Sequence, residues 1–301
     1  MWIQIAKRTK PHIWLLLLFL FLSACTKNGT LPTEEPLAVE LPTATATIVA
    51  PSATPIPAAA IVNGERLPQA WLDAEFSRYL AAQEAMGQAV EDQDAARTYV
   101  LDDLIDQVLL AQAAQNAGFE VPDEEVQARI DELRGGVDLD AWMVTWGYSE
   151  DDLFQLLRLQ LFGTHQKETI IGTVPETMEQ VELRQVFAYT EEGAKRALVS
   201  LNSGRDFDEV AFEYDPQIGG YLGWVPKGYL LIPAVEEAAF SLPVGSFSDI
   251  IESEIGFHIV KVVNREERNL SSDALITLQR QALSAWLAEN RENSTIEVSG
   301  D

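Results

Sequence analysis

The sequence predicts an α+β fold in which a small antiparallel sheet flanked by helices is inserted into a helical domain. Three observations carry this reading. Apolar residues recur at three- and four-residue spacing from about residue 68 to 170. Between about Glu182 and Arg265 the pattern changes to short strands alternating with short helices. After Arg268 one more amphipathic helix follows, and its apolar face needs a partner. The boundaries fall at 59–175 for the helical domain, 176–268 for the mixed segment and 269–301 for the tail. Residues 1–25 and 26–58 are of different character.

The first 25 residues read as a leader. Lys7, Arg8 and Lys10 precede an unbroken apolar run from Ile13 to Leu22, then Ser23, Ala24 and Cys25. That order is a secretory signal peptide. The run is too short to span a bilayer as a stable helix. Leu22-Ser23-Ala24-Cys25 resembles the bacterial lipobox, which implies lipidation at Cys25 and anchoring to a membrane; the alternative is a signal peptide that happens to contain a cysteine. Cys25 is the only cysteine, so an acylated Cys25 leaves no thiol for a disulfide, a nucleophile or a metal. Outside the leader only His165 and His258 remain, so no zinc cluster is expected. The net charge of −26 becomes −29 without the three leader cations, with 18 basic against 47 acidic residues. Such a balance argues against a nucleic-acid partner and favours encounter with basic, unfolded segments, or simply confers solubility. Residues 26–58, rich in Pro, Thr, Ala and Glu without period, are expected to stay extended as a tether.

Order is expected from Ala60-Ile61-Val62, a short strand before an Asn63-Gly64 turn, followed by a helix from about Pro68 to Met86. A second helix runs from about Ala95 to Ala117 and is capped by Gly118. Pro122-Asp123-Glu124-Glu125 opens a third, with proline and acids where the missing amide and the helix dipole suit them. Ser149 and Asp152 have the spacing of a capping box before a leucine-rich helix. The stretch Leu-Ile-Asp-Gln-Val-Leu-Leu-Ala-Gln-Ala-Ala from Leu104, then Pro-Asp-Glu-Glu-Val-Gln-Ala-Arg-Ile from Pro122, resembles the N-terminal domain of the SurA and PrsA type of extracytoplasmic foldase, over about residues 60 to 170. Trp142 and Trp146, four apart on a helix, are either client contacts or core. His165 lies on the polar side of its helix and reads as surface or domain boundary. In the resembled family the last helix, about Ser272 to Asn290, returns to the helical domain; Thr295 to Val298 would then pair with Ile61-Val62.

In the mixed segment a strand is expected at Leu183–Tyr189, helices at Glu191–Asn202 and Asp206–Tyr214, and a glycine-rich loop at Gly219–Trp224. A short helix at Pro233–Leu242 and strands at Phe247–Glu252 and Phe257–Val263 follow. Gly-Arg-Asp-Phe-Asp-Glu-Val-Ala from Gly204, Gly-Gly-Tyr-Leu-Gly-Trp from Gly219, Glu-Glu-Ala-Ala-Phe-Ser-Leu from Glu236 and Gly-Phe-His-Ile-Val-Lys-Val from Gly256 together resemble the parvulin family of peptidyl-prolyl isomerases. The resemblance implies rotation about an X-Pro amide with no cofactor and no metal. It places His258 in the last strand and Gln185 where the family usually has a first-strand histidine. Asp215 becomes the nearest candidate for a polar site residue in a shortened loop, and Leu231, Val235 and Phe240 the wall of a proline pocket, with Val235 where phenylalanine is frequent. His258 reads equally as a sheet histidine satisfied by its neighbours, and the three apolar residues as core. The implied partners are unfolded or partly folded exported polypeptides containing proline. The competing reading is a non-catalytic holdase with a degenerate parvulin module, and a third is a structural adaptor in the envelope.

Overall fold

A computed structural model of the protein describes residues 57–299. The leader, Cys25 and the tether up to residue 56 lie outside the described residues. Strand β1, Ala58–Val62, and β2, Glu65–Pro68, form a hairpin closed by Asn63-Gly64, both at positive φ, which suits the two-residue hairpin turn. Among the described residues the first strand therefore begins at Ala58, and β2 occupies what the sequence suggested was only an approach to the first helix; four residues are too few to show an alternation. Helices α1 (Gln69–Ala85), α2 (Gln93–Asn116), α3 (Asp123–Gly136), α4 (Leu139–Trp146) and α5 (Glu150–Ile171) follow. The capping box forms at Ser149 and Asp152. One core gathers β1, β2, α1 and α2 around Val62, Leu67, Leu104 and Ile105; a second gathers α2 to α5 around Val126, Ile130, Leu153 and Leu157.

The sheet of the mixed segment is antiparallel, in the order β4-β3-β6-β5. Its elements are β3 (Thr177–Ala188), α6 (Glu191–Asn202), α7 (Phe207–Tyr214), β4 (Tyr221–Pro226), α8 (Pro233–Ser241), β5 (Ile251–Ser253) and β6 (Gly256–Asn269). Three sequence expectations change here. The glycine-rich stretch is a turn only at Gly219 and Gly220; from Tyr221 it is the edge strand β4, whose Gly223 hid the alternation. The strand expected over Phe247–Glu252 reduces to a single bridge at Phe247 and to β5. The central pair is longer than expected, because polar partners such as Glu179 with Glu267 and Gln180 with Glu266 continue the ladder past the apolar part. Polar ladders of this kind carry no apolar alternation to read.

The tail then returns to the helical layer. α9 (Ser272–Glu292) packs against α5 and α2, and β7 (Ile296–Val298) pairs antiparallel with β1. Arg291 binds Asp106 at 2.6 Å and Asp102 at 3.2 Å. Leu283, Trp286 and Leu287 are only half-buried; the buried residues of α9 are Ala274 and Leu278, nearer its start. Trp142 and Trp146 are also half-buried, and Trp142 stacks on Tyr148 with ring centres 5.1 Å apart. His165 is half-buried and stacks on Phe119 at 3.7 Å.

Candidate functional site

The register of β3 with β6 sorts the sheet into two faces. Leu183 pairs with Val262, Gln185 with Val260 and Phe187 with His258, so these six share one face by the two-residue period of strands. The other face carries Val186 and Ile259 and is covered by α6 and α7 through Ala197, Leu201, Phe207 and Val210. On the first face, α8 and the loop before it cover the Leu183 and Val262 end with Ala239, Phe240, Tyr229 and Leu230. Gln185 and His258 lie further along the same face. They are not directly opposite one another but diagonal across the ladder, a separation that long side chains bridge.

His258 is the centre of this arrangement. It is 3% exposed, and its Nδ1 lies 3.2 Å from Gln185 Oε1 while its Nε2 lies 2.8 Å from Ser253 Oγ. With an amide oxygen facing Nδ1, that nitrogen carries the proton and donates, while the Ser253 hydroxyl has one proton and two acceptors in reach, Nε2 at 2.8 Å and the Gly256 carbonyl at 3.0 Å. Burial lowers the pKa of the imidazole below its usual value, so the ring is neutral near pH 7. Phe187 packs beside it at 5.0 Å between ring centres. Ser253 was not singled out from the sequence. Its only advance signal was its position on the short strand beside His258, and that strand was misplaced.

The turn into β4 holds Gln185 in place. Gln185 N donates to Gly220 O at 2.8 Å, and a Cβ at Gly220 would fall 1.9 Å from Gln185 O, so this crossing admits only glycine. Asp215 ends α7 and accepts from the amides of Gln217, Ile218 and Gly220 at 3.2–3.4 Å. Its carboxylate organises the turn that abuts Gln185, and the structure gives it no contact with His258. Val235 is buried on α8, Phe240 packs against the Leu183 and Val262 cluster, and Leu231 is 94% exposed. The three apolar candidates thus do not form one enclosed wall: Val235 is buried, Phe240 is partly buried against the core, and Leu231 projects into solvent from the loop before α8. A cleft of about 690 Å³ lies elsewhere, beside α7, lined by Arg184, Arg205, Phe212 and Ile218 among others. Among the described residues no group of three or more His, Cys, Asp or Glu is placed to hold a metal ion.

A four-stranded antiparallel sheet backed by two helices, with a neutral histidine held by hydrogen bonds on the opposite face and a short helix over it, defines a parvulin-type peptidyl-prolyl isomerase domain. Residues 176–264 match the family described as PPIC-type PPIASE domain, and residues 52–156 match the SurA-like N-terminal domain. A SurA-like N-terminal domain followed by a PPIC-type domain is the arrangement of a SurA/PrsA-like parvulin foldase. It is 26% identical over 218 residues to the foldase protein PrsA of Geobacillus kaustophilus, covering 67% of this chain and 75% of that one. PrsA 4 of Bacillus cereus is 30% identical over 163 residues, covering 50% of this chain and 57% of that one. The chaperone SurA of Alcanivorax borkumensis is 32% identical over 108 residues, 31% of this chain and 25% of that one. A crystal structure of PrsA from Bacillus cereus aligns with a TM-score of 0.45 at 21% identity, covering 80% of this chain and 93% of that one.

Proposed function

We propose that the protein is a lipid-anchored extracytoplasmic foldase that binds unfolded exported chains and speeds cis-trans isomerisation of their X-Pro bonds at the His258 face. The observation that carries the site is the chain Gln185–His258–Ser253, in which the buried imidazole has a hydrogen-bond partner at each nitrogen, one from β3 and one from β5. The reaction is rotation about an amide with a barrier of about 18–20 kcal/mol and needs no covalent step. The site has only to favour the twisted amide over both planar forms, which lie close in energy for X-Pro. A neutral imidazole clamped from both nitrogens offers a fixed, weakly solvated surface on which the twisted amide loses resonance without being stabilised in one planar form. In this reading the partly exposed side of Phe240 bounds the proline ring, Val235 backs α8 from beneath, Leu231 reaches the client from outside, and Asp215 acts through the Gly219-Gly220 turn. Cys25 carries the lipid and residues 26–58 the reach; no helix among the described residues is long and apolar enough to cross a membrane.

A second reading, a holdase whose module binds extended segments without turning them over, is favoured by two observations. Gln185 cannot change protonation state, and the Asp215 carboxylate is occupied by backbone amides. A proline-peptide isomerisation assay run beside suppression of client aggregation separates the two. Foldase activity predicts measurable isomerisation that His258→Ala lowers while suppression of aggregation persists; suppression without any isomerisation by the unaltered protein selects the holdase.

A further inference from the structure

The loop 227–232 joins β4 to α8 and carries both Leu230, packed on the Leu183 and Val262 cluster, and the exposed Leu231. It is pinned twice. From within the module, Glu236 Oε2 accepts the amides of Gly228 at 2.8 Å and Leu230 at 3.2 Å. From outside it, Asp273 in the first turn of α9 accepts the Tyr229 hydroxyl at 2.6 Å. The backbone also presses on α9: a Cβ at Gly228 would come 3.0 Å from Leu278 Cδ2. Leu278 and Ala274, one turn apart, are the two residues that α9 buries. The far end of the same helix is tied to α2 through Arg291 and leads into β7. A helix of 21 residues, about 31 Å at 1.5 Å per residue, therefore runs from the helical core to the loop that opens α8.

We propose that α9 is a positioning element of the isomerase site, with Asp273 holding Tyr229 and Leu278 backing Gly228 so that the 227–232 loop presents α8 and Leu231 to the client in one fixed pose. This rests on the isomerase reading and assigns the helical domain a part in substrate recognition at the catalytic face. None of these residues touches the reacting amide, so their effect falls on substrate binding. A segment ending at residue 268 lacks both Asp273 and Leu278.

The test uses the full chain, a proline-containing tetrapeptide and amide hydrogen exchange. Tyr229→Phe and Asp273→Ala each raise KM about three- to ten-fold, the range of a single hydrogen bond at a solvent-exposed position, and leave kcat within about two-fold. The double variant is no worse than either single one, and Asp273→Asn, which keeps an acceptor oxygen, restores KM. Exchange at the Gly228 and Leu230 amides speeds up in the first two variants and not in Asp273→Asn. Faster exchange with unchanged KM overturns the positioning role, and unchanged exchange overturns the brace itself. An unaltered protein that is inert as an isomerase but shows the expected exchange pattern overturns the isomerase reading while the brace stands.

Discussion

His258 is kept neutral because it is withdrawn from water, and that has a thermodynamic sign. In the unfolded chain a histidine titrates near 6.5, whereas burial holds the folded imidazole lower, so between the two values the unfolded chain binds more protons. Its contribution to stability is complete above about pH 6.5 and is lost as pH falls toward and through the folded value. Thermal unfolding followed from pH 8 down to pH 5 should show this loss, and His258→Phe, which cannot titrate, should remove that part of the slope. Gln185→Ala leaves Nδ1 without its acceptor and should cost about 1–3 kcal/mol in the same melting experiment. Gln185→His should restore the paired arrangement usual in parvulins and raise kcat/KM a few-fold, about one hydrogen bond's worth; an unchanged or lower value would mean that the glutamine is no defect. At this scale the sequence was informative about residue types and blind to partners. His258 and Gln185 were legible from the strand motifs around them. Ser253 was not, since its role depends on a three-residue strand that has no periodicity, and the turn-forming work of Asp215 depends on amides that no side-chain pattern reveals.

Among the elements, the helical domain is closed by a polar clamp that its apolar periodicity did not announce. Arg78 on α1 is buried and donates to the carbonyls of Trp146 at 3.1 Å and Gly147 at 2.9 Å and to Glu75 at 2.7 Å, with its guanidinium 3.5 Å from the centre of the Tyr148 ring. Burial pushes the Glu75 pKa up, against the pull of Arg78, and pushes Tyr148 up to about 12. Arg78→Ala strands Glu75 and the end of α4, so a loss of about 3–5 kcal/mol is expected in denaturant unfolding of the helical domain, the usual cost of removing one member of a buried pair. Arg78→Ala with little effect would show that water satisfies the carbonyls. In the sheet, Gly220→Ala should separate the β4 turn from β3, since its methyl would overlap Gln185 O; loss of isomerisation with the helical domain unaffected is the expected result. Helices α1 to α3 and α5 to α7 were legible because each buries a stripe at helical spacing. The β4 edge and the outer ladder of β3 and β6 were not, because glycine and charged residues form strands there only through tertiary pairing.

The molecule as a whole depends on its tail. The apolar face of α9 calls for a partner and finds it in α5 and α2, but with Leu283, Trp286 and Leu287 only half-covered. Ending the chain at Arg268 removes this cover together with Arg291 and β7. Each large side chain half-withdrawn from water then contributes about 1 kcal/mol rather than the full 1.5–3. Unfolding of such a truncated chain should show the helical domain melting well below its usual temperature, and the parvulin domain close to its own. Equal melting of the helical domain in both chains would refute the dependence.

The pairing of β1 with β7 also fixes an order of events in synthesis. Asn63 and Ser294 meet across a separation of 231 positions, whereas the whole β3-to-β6 sheet is local to one contiguous segment. A chain emerging N-terminus first can finish its catalytic module while β1 still waits, one edge open, for a strand that has not been made. Slow, long-range closure of this kind leaves unpaired backbone exposed in the interval. A protein that attends to the unfinished folding of others thus passes through the same vulnerable state itself, and its helical half reaches maturity only when the last turn of α9 and β7 have come through.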